Sequence, residues 1–99
     1  MVKRFDVYMC ESKTRLWPCV ILSPDEMNET LPFAFVAPIT RVERPFPCRV
    51  GIRLKGRQGQ VALDMCRTIL KSRLRDKMGT LPENSRTEIL DIMRRMFEP

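Results

Sequence analysis

Trp17-Pro18-Cys19-Val20-Ile21-Leu22-Ser23-Pro24 is the most apolar run in this chain of 99 residues, and the fold turns on how it is read. Val20, Ile21 and Leu22 are consecutive, so strict alternation cannot put all three on one buried face. A short unbroken apolar run bounded by prolines predicts a central strand buried on both faces. Periodicity alone does not separate such a strand from a buried helix. Glu11-Ser12-Lys13-Thr14-Arg15 before the run is polar, and Asp25-Glu26 follows it, so any chemistry belongs to the flanks.

Working outward, Phe5, Val7 and Met9 alternate with Asp6 and Tyr8, which predicts a half-buried first strand. After the apolar run, Ser23 is a candidate helix cap, Pro24 suits a first helical position, and Asp25 and Glu26 favour the positive end of a short helical turn. Asn28-Glu29-Thr30 reads as loop. Phe33 to Ile39 predicts a third strand, with Pro38 requiring an edge or a bulge. Cys48, Val50 and Ile52 point inward from a fourth strand. Leu54-Lys55-Gly56-Arg57-Gln58-Gly59 makes a basic hairpin turn, and Gln60 to Met65 returns as a fifth strand. Five short strands joined by loops and turns predict a mainly β fold, a small antiparallel barrel.

The end of the chain differs in kind. Thr80-Leu81-Pro82-Glu83 has the form of a capping box. Ile89, Leu90, Ile92, Met93, Met96 and Phe97 then recur at helical spacing, predicting an amphipathic C-terminal helix over about 80–97. The expected organisation is one domain over 1–99, with the barrel in 1–77 and the helix packed on it or turned to a partner.

Composition narrows the function. No apolar run approaches the roughly 20 residues a membrane helix needs. The N-terminus lacks the apolar core of a signal peptide, so a cytoplasmic protein is expected. Cys10, Cys19, Cys48 and Cys66 are widely spaced and there is no histidine, a pattern that predicts buried thiols and no structural zinc site. No cofactor is expected. Without histidine, an enzyme would have to work with carboxylates, arginine, lysine or hydroxyls. The net charge is +6, and residues 41–77 concentrate it, with eleven Lys and Arg against three Asp and Glu. Such a basic middle favours an anionic partner, either nucleic acid or an acidic protein segment, or serves as a solvated face.

Five segments, in order, resemble the MazF/PemK toxins, the ribosome-independent endoribonucleases of type II toxin–antitoxin modules. They are Arg4-Phe5-Asp6-Val7-Tyr8, Pro18 to Pro24, Val36-Ala37-Pro38-Ile39-Thr40, Phe46-Pro47-Cys48-Arg49-Val50, and Asp64 through Leu74. The resemblance implies an SH3-like barrel with a C-terminal helix, a homodimer, and a cognate acidic antitoxin. It also implies metal-independent cleavage of single-stranded mRNA by attack of the 2′-hydroxyl on the adjacent phosphate. In the family an arginine and a threonine carry this chemistry, because a guanidinium and a hydroxyl can both donate to the oxygens of the pentavalent phosphorane.

Thr40 matches the family's threonine. The arginine that precedes the motif's proline in the family is replaced by Trp17, and Arg15, two residues earlier, becomes the candidate substitute. Trp17 is then either a core anchor or a platform for an RNA base. Lys13 and Arg41 flank these positions as candidate phosphate contacts. Asp64 is a candidate for orienting a base or substrate hydroxyl, or for pairing with a neighbouring arginine. A second resemblance links Tyr8, residues 11–17 and the Ile92–Phe97 segment to the CcdB toxins, which share the superfold and poison DNA gyrase without cutting nucleic acid. The chain lacks that family's C-terminal Trp-Gly-Ile. The alternatives to a nuclease are thus a gyrase poison and a toxin homologue that has lost cleavage.

Overall fold

The computed structural model describes residues 1–99. Seven strands, β1 (Asp6–Glu11), β2 (Leu16–Ile21), β3 (Phe33–Thr40), β4 (Arg49–Leu54), β5 (Arg57–Ala62), β6 (Arg67–Leu70) and β7 (Leu74–Thr80), join two helices, α1 (Asp25–Thr30) and α2 (Glu83–Phe97). The strands form one curled antiparallel sheet in the order β4-β5-β3-β2-β1-β7, with β6 paired to β3 beside β5.

The apolar run lies where a strand buried on both faces belongs. β2 is hydrogen-bonded to β1 on one side and β3 on the other. Val20 and Leu22 enter one core with Phe5, Val7, Ala37 and Ile39; Cys19 and Ile21 enter the other with Cys10, Ala34, Val36 and Ile69. The helical reading of this run is thereby removed. Each fully buried aliphatic side chain contributes roughly 1.5–3 kcal/mol, and filling both faces puts three of them in successive positions.

β3 changes partner along its length. Phe33 to Val36 pair with β6, whereas Ile39 and Thr40 pair with β5. Pro38 falls at the seam between those two ladders, where a missing N–H costs no hydrogen bond, and faces Cys19 of β2 on the other side. The proline is therefore inside a central strand and not on a sheet edge. It is tolerated because the sheet splits there.

The strand count of five falls short by two. Neither β6 nor the seven-residue β7 announces itself by periodicity, and β5 ends at Ala62, with Leu63–Met65 turning as a short 3-10 segment. β7 closes on β1 through two register shifts, at Val7/Tyr8 and Tyr8/Cys10. The capping box is also corrected. Thr80 belongs to β7, and its hydroxyl donates to Asp6 Oδ1 at 2.9 Å; α2 starts at Glu83 after Pro82, without a side-chain cap. Asp6 is buried, and its other oxygen receives the Lys3 N–H at 3.2 Å and lies 3.4 Å from Lys77 Nζ. Ser23 likewise does not cap α1. Its hydroxyl donates to Asn28 Oδ1 at 2.5 Å and accepts the Phe35 N–H at 3.1 Å, while Asn28 is a buried residue of α1 and not of a loop. Ile89 and Ile92 fix α2 to the first core, with Leu90 and Met93 packed against it. Met96 and Phe97 at its end are exposed.

Candidate nucleic-acid interface

The seam in β3 opens into a cleft of about 630 Å³ whose lining includes Cys10, Pro18, Pro38 and Ile69 as floor and Arg15, Trp17, Thr40, Arg41, Arg67 and Arg73 as functional groups. The floor exists because β6 and β5 diverge on either side of Pro38. The β2–β3 ladder ends at Cys19↔Pro38, and beyond it Trp17 of β2 and Thr40 of β3 both line the cleft. Trp17 shares its sheet face with Cys19 and Ile21, and packs against the second core.

Thr40 ends β3. Its Oγ1 accepts the Val42 N–H at 3.1 Å, which orients the side chain and leaves the hydroxyl proton to donate elsewhere. Gly59 of β5 passes close by: a Cβ there would stand 3.1 Å from Ile39 Cγ2 and 3.2 Å from the Thr40 carbonyl oxygen. The glycine lets the two strands approach at this point.

Arg15 lines the cleft from the β1–β2 connection. Its carbonyl oxygen accepts both the Ser12 N–H at 2.9 Å and the Ser12 hydroxyl at 3.2 Å, so the loop's backbone is held in a tight turn while the Arg15 side chain is exposed. Lys13 is at the exposed tip of that turn, outside the cleft lining. Arg41 is exposed on the cleft's wall and borders a second hollow of about 380 Å³, which Lys55 and Arg57 of the β4–β5 hairpin also line.

Asp64 stands apart from this group. Arg49 grips it with two parallel bonds, Nε to Oδ1 at 2.7 Å and Nη2 to Oδ2 at 3.1 Å, and Arg49 in turn stacks over Phe46 at 5.1 Å. The Arg49 contact holds the Asp64 carboxyl below the usual carboxylate range. Of the alternatives for Asp64, pairing with a neighbouring arginine is the one the structure contains.

Two arginines in the cleft escaped the sequence reading of the site. Arg67, on β6, places its guanidinium 5.2 Å from the centre of the Trp17 ring. Such a stack is worth about 0.5–1 kcal/mol at an exposed site. Arg73 reaches the Glu11 carbonyl oxygen at 3.5 Å from the turn after β6. Burial pushes the Cys10 thiol up, while the positive fields of Arg73, Arg67 and Arg75 act against it. Glu11, the only carboxylate in the lining, is paired with Arg75. The cleft is thus strongly positive, with one aligned hydroxyl and one aromatic face.

A family model described as the PemK-like, MazF-like toxin of type II toxin–antitoxin systems matches residues 3–97. The chain belongs to this toxin family. Solved structures of similar fold include an endoribonuclease in complex with its cognate antitoxin from a mycobacterial species, at a TM-score of 0.88 and 22% identity over 96% of this chain and 93% of that one. The Mycobacterium tuberculosis toxin MazF-mt6 aligns at a TM-score of 0.83 and 20% identity, covering 93% of this chain and 95% of the other. MazE-MazF from Deinococcus radiodurans aligns at 0.84 and 19%, covering 96% and 93%. A comparison with curated protein sequences finds no match. In this PemK/MazF toxin, position 17 is an aromatic ring with an arginine from another strand laid on it.

Proposed function

We propose that this toxin is an endoribonuclease that cuts single-stranded mRNA without a metal ion. The 2′-oxygen would bond to the adjacent phosphorus and the bond to the 5′-oxygen would break, leaving a 2′,3′-cyclic phosphate and a 5′-hydroxyl. The observation that carries the reading is the cleft itself: an oriented Thr40 hydroxyl in a lining with four arginines and a single, already paired carboxylate. Charge growing on the phosphorane oxygens is stabilised by donors aimed at it in advance. Thr40 supplies one hydrogen bond, Arg15 is the guanidinium on the loop side, and Arg41 and Lys13 hold flanking phosphates. The exposed, mostly cationic rim suits a flexible polyanion better than a small neutral substrate.

The same reading makes the toxin a homodimer in the cytoplasm, neutralised by an acidic antitoxin. Support comes from structural relatives described in complex with a cognate antitoxin and from the basic rim, where an acidic segment would compete with RNA.

Incubating the purified toxin with a long single-stranded RNA in chelator tests the proposal. Cleavage by the parent is expected, with Thr40→Ala slower by about 100-fold and Arg15→Ala also impaired. Activity unchanged by both substitutions would remove the site. An inert parent would remove the enzyme, and if the inert parent trapped a gyrase–DNA cleavage complex, the gyrase-poison reading would take its place.

A further inference from the structure

We infer that Arg67, held over the Trp17 ring, is the guanidinium that meets the scissile phosphate beside Thr40. The inference rests on the endoribonuclease reading and goes beyond it by naming a residue from a different strand and giving Trp17 a task.

Three observations converge on Arg67. Its strand fixes the base of the side chain: Arg67 pairs with Val36 in the β3–β6 ladder, on the sheet face that carries Ile69 and the second core. The other end is fixed by the Trp17 ring at 5.2 Å. Trp17, Thr40 and Arg67 line the same cleft, so the ring holds the guanidinium in the cleft that also contains the Thr40 hydroxyl. Finally, the guanidinium is left without an anionic partner: the four ion pairs of the molecule involve Arg49, Arg75, Lys77 and Arg95, none of them Arg67. An anchored, unpaired fork in a positive cleft is suited to two oxygens of one phosphate.

Arg15 is anchored differently. Both side chains are exposed, but Arg15 extends from a loop and no ring holds it. Preorganisation is what makes a donor effective in a transition state, so Arg67 should matter more to the chemical step and Arg15 more to binding. Trp17 acts through Arg67 and is a positioning residue. Without its ring the Arg67 side chain regains its freedom, and the rate falls while the affinity changes little.

The test has two arms. In the first, steady-state cleavage of single-stranded RNA is compared for the parent, Arg67→Ala, Arg67→Lys, Trp17→Ala and Trp17→Phe, each checked for the parental circular-dichroism spectrum. Arg67→Ala should lose about 100-fold or more in kcat, and more than Arg15→Ala. Arg67→Lys keeps the charge but not the fork and should remain well below the parent. Trp17→Ala should lower kcat with little change in KM, and Trp17→Phe, which retains a ring face, should recover most of that loss. In the second arm, an uncleavable 2′-O-methyl oligonucleotide is titrated against the parent and Arg67→Ala at several salt concentrations. One lost phosphate contact reduces the salt slope by about 0.7. Cleavage unchanged in Arg67→Ala overturns the inference and leaves the nuclease reading standing. A parent that binds in an Arg67-dependent way but never cleaves overturns the nuclease reading and keeps the contact. A parent that neither binds nor cleaves overturns both. A Trp17→Ala variant that raises KM at constant kcat overturns the positioning role in favour of base stacking.

Discussion

At the scale of single residues, position 17 is the instructive one. A tryptophan at the head of an apolar run reads as an anchor, and the ring does pack against the second core. It is also a cleft wall, because the first residues of β2, Leu16 to Pro18, line the cleft. Thr40 was legible from a five-residue motif. Arg67 was not: it lies 50 residues from Trp17 in sequence, and only the pairing of β6 with β3 brings them together. The alternation of Arg67 and Ile69 about Thr68 was the available signal, spread over too few residues to stand out. The titrating groups also separate at this scale. The Asp64 carboxyl, lowered by Arg49, favours the folded state above the ordinary carboxylate pKa, and that contribution disappears as pH falls through its lowered value. Thermal midpoints of the parent and Asp64→Asn should therefore differ at pH 7 and converge in strong acid; a constant difference would contradict the pairing. Burial pushes the Cys19 thiol up to about 12, so ionisation of the unfolded chain above about pH 9 must weaken the fold in alkali.

Elements were legible in proportion to their burial contrast. β2 and β3 fill two cores and stood out; α2 has a clear stripe and did too. β7 is mostly exposed and irregular in register, so its residues carry no simple alternation. Proline was misread at position 38 for a related reason, since a chain position cannot reveal that a central strand exchanges partners there. The β4–β5 hairpin tests the local physics. Lys55 and Gly56 both have positive φ, at 53° and 77°, which marks a two-residue turn of the kind that favours Asn-Gly. Lys55→Asn should raise stability by a few tenths of a kcal/mol to about 1 kcal/mol in denaturant unfolding, with cleavage changed little. Gly59→Ala, in contrast, forces β3 and β5 apart at Thr40 and should cost about 1–3 kcal/mol. Equal effects from the two substitutions would argue against the close approach.

At the scale of the whole molecule, a curled sheet with two cores places a positive cleft over its one internal seam. Charge and chemistry were visible in the chain as a basic middle and a family resemblance, but their convergence depends on the sheet order β5-β3-β2-β1 with β6 alongside. The basic stretch is partly committed internally: Arg49 and Arg75 are paired, and the Arg53 guanidinium turns back to the Gly56 carbonyl oxygen at 3.3 Å. Arg41, Arg67 and Arg73, with Arg15 from outside the stretch, face the cleft. The central claim is that this cleft makes the PemK/MazF toxin a metal-independent ribonuclease acting through the 2′-hydroxyl. The most direct measurement is mass spectrometry of the ends formed when an oligoribonucleotide is treated with toxin in excess chelator, beside the same oligonucleotide carrying 2′-deoxy sugars. The account predicts 2′,3′-cyclic phosphate and 5′-hydroxyl ends on the first and an intact second strand. Cleavage of the 2′-deoxy strand, or intact RNA that is cut only when a divalent ion is restored, would contradict it.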